Sequence, residues 1–150
     1  AWVDGRLPAA SEWMKAGVGG CEMRDPPACG PEDMPRYPWG PEPPSCYIVN
    51  NAAEPYVYCY YGVWSDLGSP AAVTDFPRDV SVYGVRGVAG NVTEWVVPDA
   101  TIGGMPGDEA RLGPNWFDPW SALRWLPNSG AVYRPGGYDF AVGFRCAYDP

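Results

Sequence analysis

The sequence predicts an α+β domain made of one early helix, short strands and long pinned loops. Three observations predict it. A single stretch near the start is rich in helix formers. Short apolar segments then recur between runs of Gly and Pro, which number 19 each in 150 residues, close to the level at which order itself becomes a question. Finally, 8 Trp, 10 Tyr and 4 Phe supply large rings that need burial or a partner. A hydrophobic content of 46% against 19% charged residues is far from the composition of a disordered chain. The length suits one domain with one core. A parallel α/β fold would need repeated helical crossovers, and the sequence offers none.

The helix opens at Pro8, which suits a first helical turn, and continues through Ala9, Ala10, Glu12, Met14, Lys15 and Ala16. Gly17 is placed to end it, with Trp13 and Met14 facing the core. Residues 18–44 read as a long irregular loop. Cys46–Val49 and Tyr56–Tyr61 read as two short strands of a hairpin, turning at Asn50–Pro55. Val92–Val97 and Phe140–Ala147 have strand-like patterns, whereas Pro98–Gly113 reads as a loop. Loops this long usually carry function or are tied down. No internal repeat, heptad or charge block interrupts the chain.

A net charge of −8 and a pI near 4.3 repel nucleic acid and anionic membranes. No apolar run is long enough to cross a bilayer, so membrane insertion is not expected. No signal peptide is visible, but Ala1 is not a natural start, so this carries no information. The five cysteines, at 21, 29, 46, 59 and 146, form no C-x-x-C, and there is no His, which excludes an ordinary zinc site. Cys21 with Cys29 and Cys46 with Cys59 each bracket a turn-rich loop and are read as disulfides, the alternative being buried thiols; Cys146 is left over. Disulfides would place the protein in an oxidising compartment: secreted, periplasmic or at the cell surface.

Four segments stand out. They are Arg6-Leu-Pro-Ala-Ala-Ser-Glu-Trp13, Tyr37-Pro-Trp-Gly40, Tyr83-Gly-Val-Arg-Gly-Val-Ala-Gly-Asn-Val-Thr-Glu-Trp95 and Gly143-Phe-Arg-Cys-Ala147, with Asp75-Phe-Pro-Arg-Asp79 just before the third. In the third, Gly90 can adopt a backbone conformation closed to other residues, Asn91 can bond its own backbone, and Val92 and Trp95 offer core surface. Glu94 lies between apolar neighbours and needs a partner if buried, with Arg145 as the candidate. Asn91-Val-Thr93 matches a glycosylation sequon, but it coincides with a segment read as buried scaffold.

Taken in this order, the segments resemble the formylglycine-generating-enzyme family, also called the sulfatase-modifying-factor domain. The resemblance runs from Arg6 to Ala147 and implies a C-type-lectin-like fold, loop-rich with short twisted antiparallel strands. It also implies that residues 1–150 are the C-terminal part of a single domain whose N-terminal part this chain lacks. Family members often hold Ca²⁺ on this motif. The matching ligands would be Glu94 and the carbonyls of Gly90 and Val92, with Gly87 replacing the family's Asp or Asn and so weakening the site. In some members, the cysteine matching Cys146 pairs with one just before the helix.

The family's enzymes use two cysteines with copper, or histidines with iron. Asp118 and Leu123 stand where the cysteines belong, and no cysteine lies between positions 60 and 145. Without His, neither an iron site nor a His-activated nucleophile can be built from these residues. Asp108–Glu109 and Glu32–Asp33 sit in predicted loops, where solvated carboxylates are the default. The sequence therefore reads as a non-catalytic binding or structural module of a secreted or surface protein, partnered by another protein or another part of the same one. A small ligand or glycan would contact Asn115, Trp116, Asp118, Trp120, Tyr133 and Tyr138 on loops over a rigid base. Two alternatives stand beside it. One is an oxidoreductase of the formylglycine-generating or sulfoxide-synthase type, completed by the absent part. The other is a lectin-like protein diversified for ligand binding.

Overall fold

A computed structural model describes residues 4–20, 22, 35–54, 57–59, 68–100, 102, 108–119, 131–133 and 140–149. Helix α1 spans Ala10–Val18. Glu12 accepts the Ala9 N–H at 2.8 Å and Asp99 accepts that of Ser11 at 2.9 Å, so two carboxylates bond N–H groups at the helix start. The Arg6 guanidinium also bonds Glu12 and holds its carboxyl down to about 2. The helix runs past Gly17, which is buried within it, and stops at Gly19, where φ is 82°. Trp13 is buried and Met14 half-buried against the same core.

Six strands follow among the described residues. They are β1 (Ala52–Glu54), β2 (Val57–Tyr58), β3 (Thr93–Val96), β4 (Glu109–Leu112), β5 (Ala131–Tyr133) and β6 (Val142–Phe144). β1 and β2 form a small antiparallel pair. The others form one sheet in the order β5-β4-β3-β6, in which β4 runs antiparallel to both neighbours and β3 and β6 run parallel. The sheet is thus mixed, not wholly antiparallel.

Several expectations shift. Cys46–Val49 is not a strand: the N–H groups of Ile48 and Val49 both bond the Ser45 carbonyl in a tight turn, and Ile48 and Val49 are fully buried. The first strand of the hairpin lies a few residues later, at Ala52–Glu54, and pairs with Val57–Tyr58 inside the predicted second strand. The predicted loop 98–113 contains β4, whose Ala110 and Leu112 pair with Val96 and Glu94. Glu109 therefore begins a strand rather than lying in a loop. Short strands of this kind are defined by their partners more than by their own periodicity.

Alternation along β3 sets the two faces. Glu94 and Val96 point inward, where Val96 joins Ala10, Trp13, Val88, Ala110 and Leu112 in the main core. Trp95 points the other way, with the Arg111 guanidinium 4.3 Å from its ring centre. A second core gathers Tyr37, Ile48, Val49 and Ala89, flanked by Trp39 stacked on Tyr37. Arg6 and Ala147 exchange backbone hydrogen bonds at 3.0 and 2.8 Å, tying the segment before α1 to the one after β6.

Cys46 and Cys59 form a disulfide, with Cα atoms 4.8 Å apart. It closes a loop of 13 residues, worth about 3 kcal/mol. Replacing both cysteines with serine is expected to lower unfolding free energy by about 2–4 kcal/mol, measured by urea denaturation; an unchanged midpoint at unchanged slope would contradict this. Cys21 and Cys29 lie outside the described residues, and Cys146 is free and exposed.

Candidate functional site: a buried carboxylate clamp and its loop hub

Glu94 is 4% exposed and anchors the interior polar cluster. Its Oε2 accepts the Trp13 indole N–H at 2.6 Å and the Arg145 Nε–H at 2.5 Å, while Oε1 accepts from the other arm of the guanidinium at 2.5 Å. Arg145 reaches onward to the carbonyls of Arg86 and Gly87 at 3.3 and 3.4 Å. The clamp therefore joins α1, the loop before β3, β3 itself and the segment after β6. The expected Glu94–Arg145 pair is present in its bidentate, charge-assisted form. Trp13 is a third member that its reading as a core residue did not reveal.

A calcium ion does not fit this arrangement. Both oxygens of Glu94 are taken by a guanidinium and an indole N–H, and the Gly90 carbonyl accepts the Val92 N–H at 2.9 Å. Calcium wants six to eight oxygens, several of them anionic. The positive partner of this carboxylate is Arg145.

Beside the clamp, Asn91 holds the loops together. It is the non-Gly residue with a left-handed backbone among those described, at φ 68°. Its side chain does not bond its own turn as expected. Oδ1 accepts the Ala71 N–H and an Asn50 amide hydrogen, and Nδ2 donates to the Ala71 carbonyl. An amide so engaged is a poor glycosylation acceptor. Gly90 matters for space: a Cβ there would meet the Asn50 carbonyl at 2.5 Å and Val49 at 2.6 Å. This close approach lets the Asn91 N–H reach the Asn50 carbonyl at 2.8 Å.

Asp79 completes the polar interior. It is 2% exposed, and burial pushes its carboxyl up to about 7, against the opposing pull of the Ala89 N–H and Arg145. Sequence reasoning placed it only at the end of a motif segment. The sequence carried no burial signal, because neighbouring Arg78 and Val80 look like an ordinary loop.

Of the six residues predicted to contact a ligand, the structure describes the side chains of Asn115, Trp116 and Asp118. Asn115 and Asp118 share a turn: Asp118 accepts the Asn115 N–H at 2.8 Å, and Asn115 accepts the Phe117 N–H at 2.9 Å. Asp118, which stands at a cysteine position by resemblance, thus holds its own loop. Trp116 is 3% exposed and packs in a ring cluster with Phe117 and Phe140. Tyr133 ends β5, while Trp120, Tyr138 and Leu123 lie outside the described residues. Among the described residues, no group of three or more His, Cys, Asp or Glu could hold a metal. No described helix is long and apolar enough to cross a membrane.

The Glu94–Arg145 clamp and the Asn91 loop hub fall on the motif segments read from the sequence. The Sulfatase-modifying factor enzyme 1-like domain matches residues 1–150. The chain belongs to that family. Two curated relatives are each named hercynine oxygenase. The one from Mycolicibacterium smegmatis is 34% identical over 95 residues, and the one from Mycolicibacterium thermoresistibile is 33% identical over 95. The match covers 63% of this chain but only 18% and 17% of theirs, so the chain spans under a fifth of the length of these relatives. Two solved structures share the fold. CarF has a TM-score of 0.58 at 21% identity, covering 95% of this chain and 46% of CarF. PvdO from Pseudomonas aeruginosa has a TM-score of 0.57 at 19% identity, covering 93% of this chain and 51% of PvdO.

The relatives correct the expectation of a non-catalytic binding or structural module, because they are named as oxygenases and not as binding proteins. That expectation rested on missing His and Cys donors. The physical flaw is that a metal site draws its ligands from distant parts of a fold, so one stretch without donors does not make the whole protein inert.

Proposed function

We propose that this chain is the scaffold-bearing portion of an oxidoreductase of the formylglycine-generating or sulfoxide-synthase type, built on a lectin-like variant of the fold. The observation that carries this reading is the 34% identity to a hercynine oxygenase within a family match over residues 1–150. The residues present do not fit a redox metal by themselves. There is no imidazole in the sequence, and the free thiol among the described residues, on Cys146, is exposed and stands alone. The donors are therefore assigned to polypeptide outside these 150 residues, which is also the proposed partner. The chain's own contribution is rigidity: the clamp on Glu94 and the loop hub on Asn91 hold loops where ligands and substrate could be positioned. The Cys46–Cys59 disulfide supports an oxidising compartment, secreted, periplasmic or at the cell surface.

The test uses the full-length protein. Purified aerobically, it is expected to carry stoichiometric iron or copper and to consume oxygen when given a thiol with hercynine, the first substrate to try because both relatives are named for it. A protein free of both metals after reconstitution, with no oxygen uptake on any thiol substrate, would overturn the proposal.

A further inference from the structure

The disulfide between Cys46 and Cys59 closes a loop on which two other loops rest. Inside it, Ile48, Val49, Asn50 and Asn51 are all buried. The Asn50 carbonyl accepts the Asn91 N–H at 2.8 Å, and the Asn50 side chain donates to the Ser69 carbonyl and to Asn91 Oδ1. Asn51 Nδ2 donates to the Asn115 carbonyl at 3.0 Å, and the Ala52 N–H to the Asp118 carbonyl at 3.1 Å. The Asn91 carbonyl in turn accepts the Trp116 N–H at 3.2 Å. One covalently closed loop thus supports both the hub at Asn91 and the turn at 115–118.

The bond itself is not sealed in the core. Both cysteines are half-buried, and Tyr47 beside Cys46 is 85% exposed. A disulfide near solvent is open to exchange with thiols. Part of the loop also has a second, non-covalent closure. The Cys59 N–H bonds the Asn51 carbonyl at 3.0 Å, and Ala52 pairs with Tyr58 across β1 and β2. These bonds keep Cys59 in place if the disulfide opens. The covalent bond adds the other end: it fixes Cys46, and with it the turn in which the Ser45 carbonyl accepts the Ile48 and Val49 N–H groups.

We propose that Cys46–Cys59 is a redox switch: a small thiol opens it, the fold survives, and the turn at 45–50 loosens together with Asn91 and the 115–118 turn. A thiolate of the reductant R–SH attacks one sulfur and forms a mixed disulfide, and the other cysteine leaves as a thiolate that takes up a proton. A second R–SH then attacks the R sulfur of the mixed disulfide and frees the remaining cysteine. Two R–SH become R–S–S–R, and their two electrons and two protons end on the two cysteines. The switch acts on the loops, whatever reaction the full-length protein catalyses.

Hydrogen exchange of the full-length protein, before and after treatment with glutathione, tests this. The reference is the amides of Trp13 and Val97, which bond the carbonyls of Ala9 and Pro8. Relative to these, the amides of Ile48, Val49, Asn91 and Trp116 are expected to exchange about tenfold faster or more after reduction, because a local opening adds to any global loss. Oxidised glutathione is expected to restore the slow rates. The double variant Cys46→Ser with Cys59→Ser is expected to exchange fast at the same amides without thiol and to ignore added thiol, which separates the effect from Cys21 and Cys29. Should that variant fail to fold, mass spectrometry of the alkylated wild-type protein gives a second readout: loss of the 46–59 cross-link is expected to track the faster exchange. A bond that resists thiol in the folded protein, equal acceleration at all amides, a thiol response that persists in the double variant, or a bond that does not re-form would each overturn the proposal.

Discussion

Arg145→Leu is expected to destabilise the protein by about 3 kcal/mol or more, while Glu94→Gln costs clearly less. The asymmetry follows from burial. Glu94's side chain is 6% exposed and that of Arg145 27%. Removing the guanidinium leaves a carboxylate with the Trp13 indole as its remaining side-chain donor among the described residues, deep in the domain. Removing the negative charge leaves an arginine that can turn towards water, and the new amide oxygen can still accept from Trp13. A buried charge stripped of its partner is the most expensive outcome of breaking such a pair. Urea denaturation of the two variants in the full-length protein checks it. Equal losses, or losses below about 1 kcal/mol for both, would show that the pair behaves as a surface salt bridge and that the clamp does not hold the four elements together.

The second large effect concerns Asp79. Its carboxyl titrates at an ordinary 3.8 when unfolded and at about 7 when folded. Between these values the folded state holds a proton that the unfolded chain has lost. Stability is therefore fully present below about pH 4, falls as pH rises, and levels off above about pH 7. The full shift corresponds to an upper limit of about 4 kcal/mol, at 1.36 kcal/mol per unit. Asp79→Asn is expected to remove this slope and to be the more stable protein at pH 8. Unfolding free energies measured from pH 4 to 8 decide it. Parallel curves for wild type and variant would mean that Asp79 is solvated in solution and that its burial is not as described.

The sequence and the structure divide the information unevenly. Helix α1 was legible because its signals are local: Pro8, a run of good helix formers and Trp13 at a core position. β3 was legible for the same reason, as was the Glu94–Arg145 pair, because a charge between apolar neighbours must find a counterpart. β4 was not. Its Glu-Ala-Arg-Leu carries little strand propensity and is held by β3 on one side and β5 on the other. The inward side of β3 was also misjudged. Trp95 is the larger apolar residue, yet Glu94 and Val96 face the core because they stand opposite Leu112 and Ala110.

The sequence alone determined the family, the early helix, the acidic character and the lack of imidazole, since each is written in residue types or in motifs read along the chain. Only the tertiary structure decided which carboxylates are buried, that Arg145 and Trp13 converge on one of them, and that the Asn91 side chain joins the turn at Asn50 to the loop at Ala71. Those facts depend on contacts between residues as much as 81 positions apart, as Trp13 and Glu94 are, and no local pattern in a chain encodes what lies across it.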